Sequence, residues 1–280
     1  MNIFKMTNTS VRWAFNFTKW NPSHSDMLLA SSCVQTEEKD RLSRFYFRKD
    51  FKSSLIGRLM MRKFVCQASG KKYDEIKFLR DDKGKPMLFE SNTYPNLDFN
   101  ISHQGDYVVL AGECSNVKLG VDVMKLEYSG GKSLDEFFRL MTKNFSPEEW
   151  VMIKSSGTEK QQIAMFCRHW CLKESYVKAI GVGITINLQD IRFKVNTSVL
   201  DKNFIVDDTE LYIKGMKVNW KFQEMLLDDQ HCVAVALNDT SNMNLVFREI
   251  DFSELMEGCV PFLPRDEQYC LNYFRKCERP

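Results

Sequence analysis

Apolar and polar side chains alternate along several short stretches of the chain, and this period of two is typical of β-strands. Other stretches, such as residues 107–112, are continuously apolar and indicate strands that are buried on both faces. We expect strands at residues 11–17, 76–79, 86–89, 97–102, 107–112, 119–123, 184–186, 191–195, 211–213, 218–222 and 232–237.

Helix starts are marked by Ser or Thr followed by acidic residues, because these residues satisfy the first N–H groups of a helix. Thr36 begins a helical stretch that runs to about residue 67 and breaks near residues 49–53. Ser133 and Ser146 each begin a capping box, and the second is followed by Pro at the first helical position.

The longest predicted helix starts at Thr158 and ends at Gly181, a span of about 22 residues. Helices and strands are mixed without strict βαβ alternation, so the predicted fold class is α+β. The 280 residues suffice for one large domain or for two of about 140 residues, with a plausible joint at residues 115–116. The stretch after about Asp251 is less regular, which predicts a loosely docked tail.

The composition predicts where the protein is located and whether its cysteines are reduced. A hydrophobic content of 44% with 27% charged residues is typical of a soluble globular protein. No apolar run approaches the roughly 20 residues of a membrane span, and the amino terminus is too polar for a secretory signal. We therefore expect a cytoplasmic protein in which the nine cysteines are reduced thiols.

Three residues of the long predicted helix, Cys167, His169 and Cys171, look like metal ligands in the linear sequence. On a helix His169 points about 200° away from Cys167, so the three side chains cannot converge. We expect two thiols on one helix face and a solvated or capping histidine.

The net charge is only +2, but positive charge is concentrated between residues 41 and 85, where 14 basic residues face 5 acidic ones. Such a segment attracts anions, although many of its residues are also compatible with a solvated helix face. Nucleic acid would be one such anion, but no nucleic-acid-binding motif accompanies the charge.

The first candidate functional residues are Glu174 and Lys178, which lie four residues apart and share one helix face. A carboxylate can hold a divalent metal, and a lysine one turn later can hold a phosphate. In the strand at 119–123, Val121 and Val123 point into a core while Asp122 points the other way. Alone, Asp122 is also compatible with a strand-end acid that caps a nearby helix or pairs with a lysine, and Glu174 with an ordinary i,i+4 surface pair.

Phosphate donors are predicted at two further places, the strand end at residues 100–103 and the Lys-Gly-Lys turn at residues 83–85. The first offers the Ser102 hydroxyl, the His103 imidazole and backbone N–H groups. Each motif is weak alone, but together they suggest a magnesium-dependent enzyme that handles a pyrophosphate.

This set of motifs resembles the Sfp-type 4′-phosphopantetheinyl transferases, and most closely the animal members of that family. The matching pieces occur in the family's order and cover about residues 11–240. They are residues 11–15, 37–41, 57–60, 83–86, 99–107, 120–125, 144–150 and 170–183.

The resemblance implies two similar α+β subdomains related by a pseudo-twofold, with coenzyme A bound at their interface. They would be residues 1–117 and residues 118–250, the second carrying the metal site, followed by a tail at 251–280. The implied reaction moves phosphopantetheine from coenzyme A to a serine of an apo acyl or peptidyl carrier protein and releases adenosine 3′,5′-bisphosphate.

The resemblance also implies roles for single residues. Asp122 and Glu174 occupy the positions of the Mg²⁺ ligands, and Lys178 that of a pyrophosphate contact. With His103, Lys178 would stabilise the growing charge, while Glu174 would accept the serine proton directly or through a metal-bound water. The implied coenzyme A contacts also include Arg41, Arg80, Lys83, Gly84, Lys85, Asn100, Ile101 and Ser102, together with His103 itself.

One position departs from many bacterial members, which carry a third acid two residues after the Gly-x-Asp aspartate. Here that position is Met124. A thioether is a poor Mg²⁺ ligand, so we expect a water in its place. Animal members are similar in carrying methionine there.

The implied partners are carrier domains of fatty acid synthase and of an aminoadipate-type dehydrogenase. We expect the enzyme to be a monomer that binds neither nucleic acid nor a membrane. An acidic helix of the carrier would dock on Arg12 or on basic residues near 44–63. The alternative is a catalytically inactive scaffold that binds coenzyme A and carrier proteins. The intact Asp122, Glu174, Lys178 and His103 argue against that alternative.

Overall fold

The computed structural model describes residues 10–82, 84–89, 91–183, 186–238 and 245–278. Contacts between Cα atoms divide the chain into two compact units. Unit 1 comprises Met1–Asn116 with Arg248–Pro280, and unit 2 comprises Val117–Phe247. Each unit mixes helices with mainly antiparallel sheets, which confirms the α+β class. No helix of the described residues is long and apolar enough to cross a membrane.

Unit 1 is built on a sheet with the strand order β12-β1-β5-β4 in the described part of the chain. The central helix α3 packs on this sheet so closely that a Cβ atom at Gly112 would overlap the Phe64 ring. Its strands are β1 (Val11–Asn16), β4 (Asp98–Gln104), β5 (Tyr107–Glu113) and β12 (Arg248–Glu249), beside the hairpin β2 (Phe78–Arg80) and β3 (Pro86–Leu88). Its helices are α1 (His24–Ser32), α2 (Thr36–Ser43), α3 (Arg48–Ser69), α7 (Phe252–Met256) and α8 (Glu267–Phe274).

The carboxyl-terminal segment of the chain is part of the unit 1 core. Strand β12 pairs in parallel with β1, and Leu255, Cys270 and Tyr273 are buried in the same apolar cluster as Phe51. The prediction of a loosely docked tail is therefore wrong, because apolar residues of α7 and α8 find their partners in distant parts of the sequence.

Unit 2 holds a sheet with the order β10-β11-β6 and a second one with the order β7-β8-β9 among the described residues. Helix α6 is fitted against β6 and β11. The strands are β6 (Leu119–Lys125), β7 (Ile191–Lys194), β8 (Glu210–Ile213), β9 (Met216–Val218), β10 (Lys221–Asp228) and β11 (His231–Leu237). The helices are α4 (Leu134–Leu140), α5 (Pro147–Lys154) and α6 (Glu159–Ile180).

The local signals for α6 are confirmed at both ends. Thr158 is its N-cap in a reciprocal capping box with Gln161, and Gly181 ends it at a positive φ of 68°. Ser146 caps α5 in the same reciprocal way, and Ser133 accepts a hydrogen bond from the Glu136 N–H at the start of α4.

Other predicted boundaries are wrong. The helical stretch from Thr36 breaks at residues 44–47 rather than 49–53, and Gln35 rather than Thr36 is the N-cap residue. The predicted strand at 218–222 is divided between the end of β9 and the start of β10. Of the strand predicted at 184–186, the first two residues lie outside the described residues.

Candidate active site

Gly120 allows α6 to lie directly against β6. A Cβ atom there would overlap the Ser175 carbonyl oxygen and the Ala179 nitrogen, which belong to the backbone of α6. The strand period of two points Asp122 to the same side as Gly120, while Val121 and Val123 point to the other side and are fully buried. The glycine thus brings the last turns of α6 close to Asp122.

Lys178 on α6 forms an ion pair with Asp122 on β6. Its Nζ lies 2.6 Å from Asp122 Oδ1 and also donates to the Val121 carbonyl at 3.2 Å. The Asp122 side chain is 8% exposed and that of Lys178 is 28% exposed, so the carboxylate end of the pair is largely removed from water.

Glu174 lies half-buried on the same helix, one turn before Lys178. Burial raises the pKa of the Glu174 carboxyl, and the charge of Asp122 raises it further, while Lys178 lowers it. The two carboxylates therefore share one electrostatic neighbourhood in which negative charge is in excess. A divalent cation relieves such an excess, and one or two carboxylates are what Mg²⁺ takes from a protein.

Met124 contributes no oxygen to this group. Its half-buried side chain packs against the apolar clusters of unit 2. Among the residues that the structure describes, no three His, Cys, Asp or Glu side chains cluster as metal ligands. The donor set that fits Mg²⁺ is thus the pair Asp122 and Glu174, with water or phosphate oxygens to complete it.

Unit 1 contains a basic recess of about 540 Å³, to which Arg41 and Arg80 both contribute. The residues that line it are Gln35, Glu37, Glu38, Arg41, Arg44, Lys77, Phe78, Leu79, Arg80 and Phe89. Its four cations outnumber its two carboxylates, so it attracts anions. Leu79 and Phe89 are exposed and give the recess an apolar wall.

The turn after β2 is tied to Arg80. Arg80 Nη1 donates to the Gly84 carbonyl at 2.6 Å, and the Lys85 N–H donates to Asp81 Oδ1 at 2.7 Å. Gly84 has a φ of 81°, which a residue with a side chain rarely adopts. Lys83, the other predicted contact of this turn, lies outside the described residues.

The predicted phosphate donors at 100–103 lie within β4, which continues to Gln104 instead of ending at Ser102. Asn100 and Ser102 are buried, and His103 is exposed. Strand alternation places Asn100 and Ser102 on one face and Ile101 and His103 on the other. A ligand that contacts all four must therefore reach them along the strand edge or through the backbone.

His169 is fully buried on α6, so the prediction of a solvated or capping histidine is wrong. Its Nδ1 lies 3.0 Å from the Met165 carbonyl oxygen, and burial lowers its pKa to about 4. Cys167 and Cys171 donate to the backbone carbonyls of Lys125 and Asp122 on β6, as expected of thiols on one helix face. All nine cysteines are free thiols, as predicted.

Two basic residues considered for carrier docking are unsuitable because they are buried. Arg12 forms a buried ion pair with Glu113 at 2.6 Å. Arg62 donates to the carbonyls of Tyr73 and Ile76 from inside the unit 1 core.

Sequence reasoning missed Glu38 as a member of the recess. Glu38 reads as one of the acids in the first turn of α2, but it is buried and binds both Arg58 and Arg80. Its partners lie 20 and 42 residues further along the chain, so no local pattern points to them.

Known proteins match the chain along most of its length. Residues 18–115 match the family described as 4′-phosphopantetheinyl transferase, N-terminal, and residues 118–236 match the 4′-phosphopantetheinyl transferase superfamily. An L-aminoadipate-semialdehyde dehydrogenase-phosphopantetheinyl transferase of Xenopus laevis is 40% identical over 97% of this chain and 94% of its own length. The Homo sapiens protein of the same name is also 40% identical, over 92% of this chain and 89% of its own. A phosphopantetheinyl transferase of Thraustochytrium sp. is 35% identical over 80% and 77%.

The chain therefore belongs to the 4′-phosphopantetheinyl transferase superfamily. It is an enzyme that transfers phosphopantetheine to carrier proteins, and the resemblance found in its motifs, including the resemblance to the animal members, is confirmed.

Proposed function

We propose that Asp122 and Glu174 hold a Mg²⁺ ion and that Lys178 binds the pyrophosphate of coenzyme A beside it. The observation that carries this proposal is the close fit of α6 on β6 at Gly120, which gathers two carboxylates and an ammonium group. The bound ion would neutralise charge on the pyrophosphate and on the leaving nucleotide.

The reaction exchanges one phosphorus–oxygen bond for another, and the protein assists it in two ways. The carrier serine oxygen forms a bond to the phosphorus that bears pantetheine, and the bond from that phosphorus to the bridging pyrophosphate oxygen breaks. A Glu174 oxygen accepts the serine proton, directly or through a water. Lys178 and His103 donate to phosphate oxygens as adenosine 3′,5′-bisphosphate leaves.

We assign the basic recess of unit 1 to the nucleotide part of coenzyme A. Arg41 and Arg80 would bind its phosphate groups, and the exposed ring of Phe89 offers a flat apolar surface to the base. The Lys83–Lys85 turn and the Asn100–His103 segment of β4 are proposed as further coenzyme A contacts.

The proposed partners are carrier domains of fatty acid synthase and of an aminoadipate-type dehydrogenase. The second is supported by the names of the animal relatives. A cytoplasmic location and a monomeric state are part of the same proposal.

The test of the proposed magnesium-dependent reaction is a mass measurement. Purified protein is mixed with coenzyme A and a panel of apo carrier domains, with Mg²⁺ or with a chelator. We expect a carrier to gain the mass of one phosphopantetheinyl group only when Mg²⁺ is present. Equal transfer in the presence of the chelator would contradict the metal assignment.

A further inference from the structure

Glu38 on α2 lies beneath the basic recess and binds two arginines at once. Its Oε2 accepts from Arg58 Nε at 2.5 Å, and both of its oxygens lie 3.1 Å from Arg80 Nη2. We propose that Glu38 is a positioning residue, which holds the Arg80 guanidinium in the orientation that binds an anionic group of coenzyme A. This inference rests on the proposed role of the recess.

A carboxylate in an anion site is useful only if the arginines outnumber it. Glu38 shares its single negative charge between Arg58 and Arg80, so the group of three keeps one net positive charge. Burial alone would raise the pKa of Glu38, but the two arginines outweigh it and lower that pKa. Glu38 therefore stays ionised at neutral pH and remains paired with both guanidinium groups.

Arg80 is held from two sides. Nη2 is bound to Glu38, while Nη1 donates to the Gly84 carbonyl of the turn after β2. A guanidinium group has five N–H donors in a plane, so these contacts leave further donors for a ligand. Fixing a long side chain before the ligand arrives reduces the entropy lost on binding.

The competing explanation is that Glu38 serves only to neutralise Arg58, whose side chain is mostly covered. The Arg58 side chain is 13% exposed and also donates to the Ser54 carbonyl within α3. If that were the whole role of Glu38, removing Arg58 would change coenzyme A binding as much as removing the Glu38 charge.

The experiment measures coenzyme A affinity of the full chain by isothermal titration. We expect Glu38→Gln to weaken binding about tenfold, the loss typical of one charge-assisted contact. Asp40→Asn, a change of an exposed acid on the same helix, serves as the matched control and should bind like the wild type. In transfer assays, Glu38→Gln should raise KM for coenzyme A and leave kcat unchanged.

Two further variants separate positioning from folding. Arg58→Met should bind coenzyme A like the wild type. Glu38→Gln combined with Arg58→Met, which leaves no unpaired buried charge at this position, should remain about tenfold weak. Adding Glu38→Gln to Arg80→Met should cause no additional loss, because Glu38 acts through Arg80.

Three outcomes would each overturn the inference. The first is wild-type affinity in Glu38→Gln, and the second is a loss in Arg58→Met as large as that in Glu38→Gln. The third is a Glu38→Gln, Arg80→Met double variant whose loss of affinity is the product of the two single losses. The assignment of the recess would instead be overturned if the wild type transfers phosphopantetheine and Arg80→Met binds coenzyme A with wild-type affinity. The two failures are therefore distinguishable.

Discussion

Lys178 Nζ on α6 lies 2.6 Å from Asp122 Oδ1 on β6. The sequence pairs Lys178 with Glu174 as an i,i+4 couple on one helix, whereas the structure shows it bound to a carboxylate 56 residues earlier. A cation already neutralises Asp122 here. A Mg²⁺ ion that binds Asp122 must share this carboxylate with Lys178 or replace the contact, and replacement would leave Lys178 available to the pyrophosphate.

The first prediction concerns Asp122 itself. Asp122→Asn removes a proposed metal ligand and weakens the hold on Lys178, so transfer to an apo carrier should slow by about a hundredfold or more. The rate is measured by mass spectrometry under saturating coenzyme A. Asp229→Asn, which changes an exposed acid of the same unit, is the control and should transfer at the wild-type rate. An Asp122→Asn variant of normal rate and normal fold would refute the metal assignment.

The second prediction concerns the close fit of α6 on β6. Gly120→Ala places a methyl group on the α6 backbone, so the helix must shift away from Asp122. We expect the free energy of unfolding to fall by about 1–3 kcal/mol and transfer to be impaired. Gly131→Ala is the matched control because nothing lies near its Cβ position. Chemical denaturation of both variants is the check, and equal stabilities would contradict the role given to Gly120.

The third prediction concerns Lys173, the residue before Glu174. Its Nζ lies 2.8 Å from Glu149 Oε2, and both side chains are almost fully buried. Lys173→Met should destabilise unit 2 by about 3–5 kcal/mol because it leaves the Glu149 charge unpaired. The double change of Lys173→Met with Glu149→Gln should recover part of that loss. Thermal unfolding of the variants measures both effects, and additive losses would show that the pair does not act as a unit.

The fourth prediction is a pH dependence of stability that arises at His169. Its pKa is about 4 in the folded protein and about 6.5 when unfolded. As the pH falls below 6.5, His169 binds a proton in the unfolded chain but not in the folded chain. The unfolded state is therefore favoured, and the free energy of unfolding falls. The loss reaches about 3 kcal/mol by pH 4. His169→Asn should lose less stability between pH 6.5 and 4.5 than the wild type. Parallel curves for wild type and His169→Asn would contradict the prediction.

The elements that could be predicted from sequence are those set by neighbouring residues. The ends of α6 depend on Thr158, Gln161 and Gly181, all within or beside the helix, and they were predicted correctly. The alternation in β6 likewise placed Val121 and Val123 in the core and Asp122 on the other face.

What could not be predicted depends on partners that are distant in sequence. Helix α1 was missed because its buried residues Met27, Leu28, Ala30, Ser31 and Ser32 do not form a single apolar stripe. Distant partners also explain why the sequence did not predict the docking of α8, the burial of His169 or the binding of two arginines by Glu38. In each case the residue type is compatible with the surface, and only the packing of other elements decides its environment.

We propose that the divalent ion is held by Asp122 and Glu174, and not by Lys178. The most direct test is to titrate Mn²⁺ in place of Mg²⁺ into the protein with coenzyme A and to follow bound Mn²⁺ by electron paramagnetic resonance. We expect Asp122→Asn and Glu174→Gln each to lose the bound-ion signal and Lys178→Met to retain it. Undiminished Mn²⁺ binding in both carboxylate variants would contradict it.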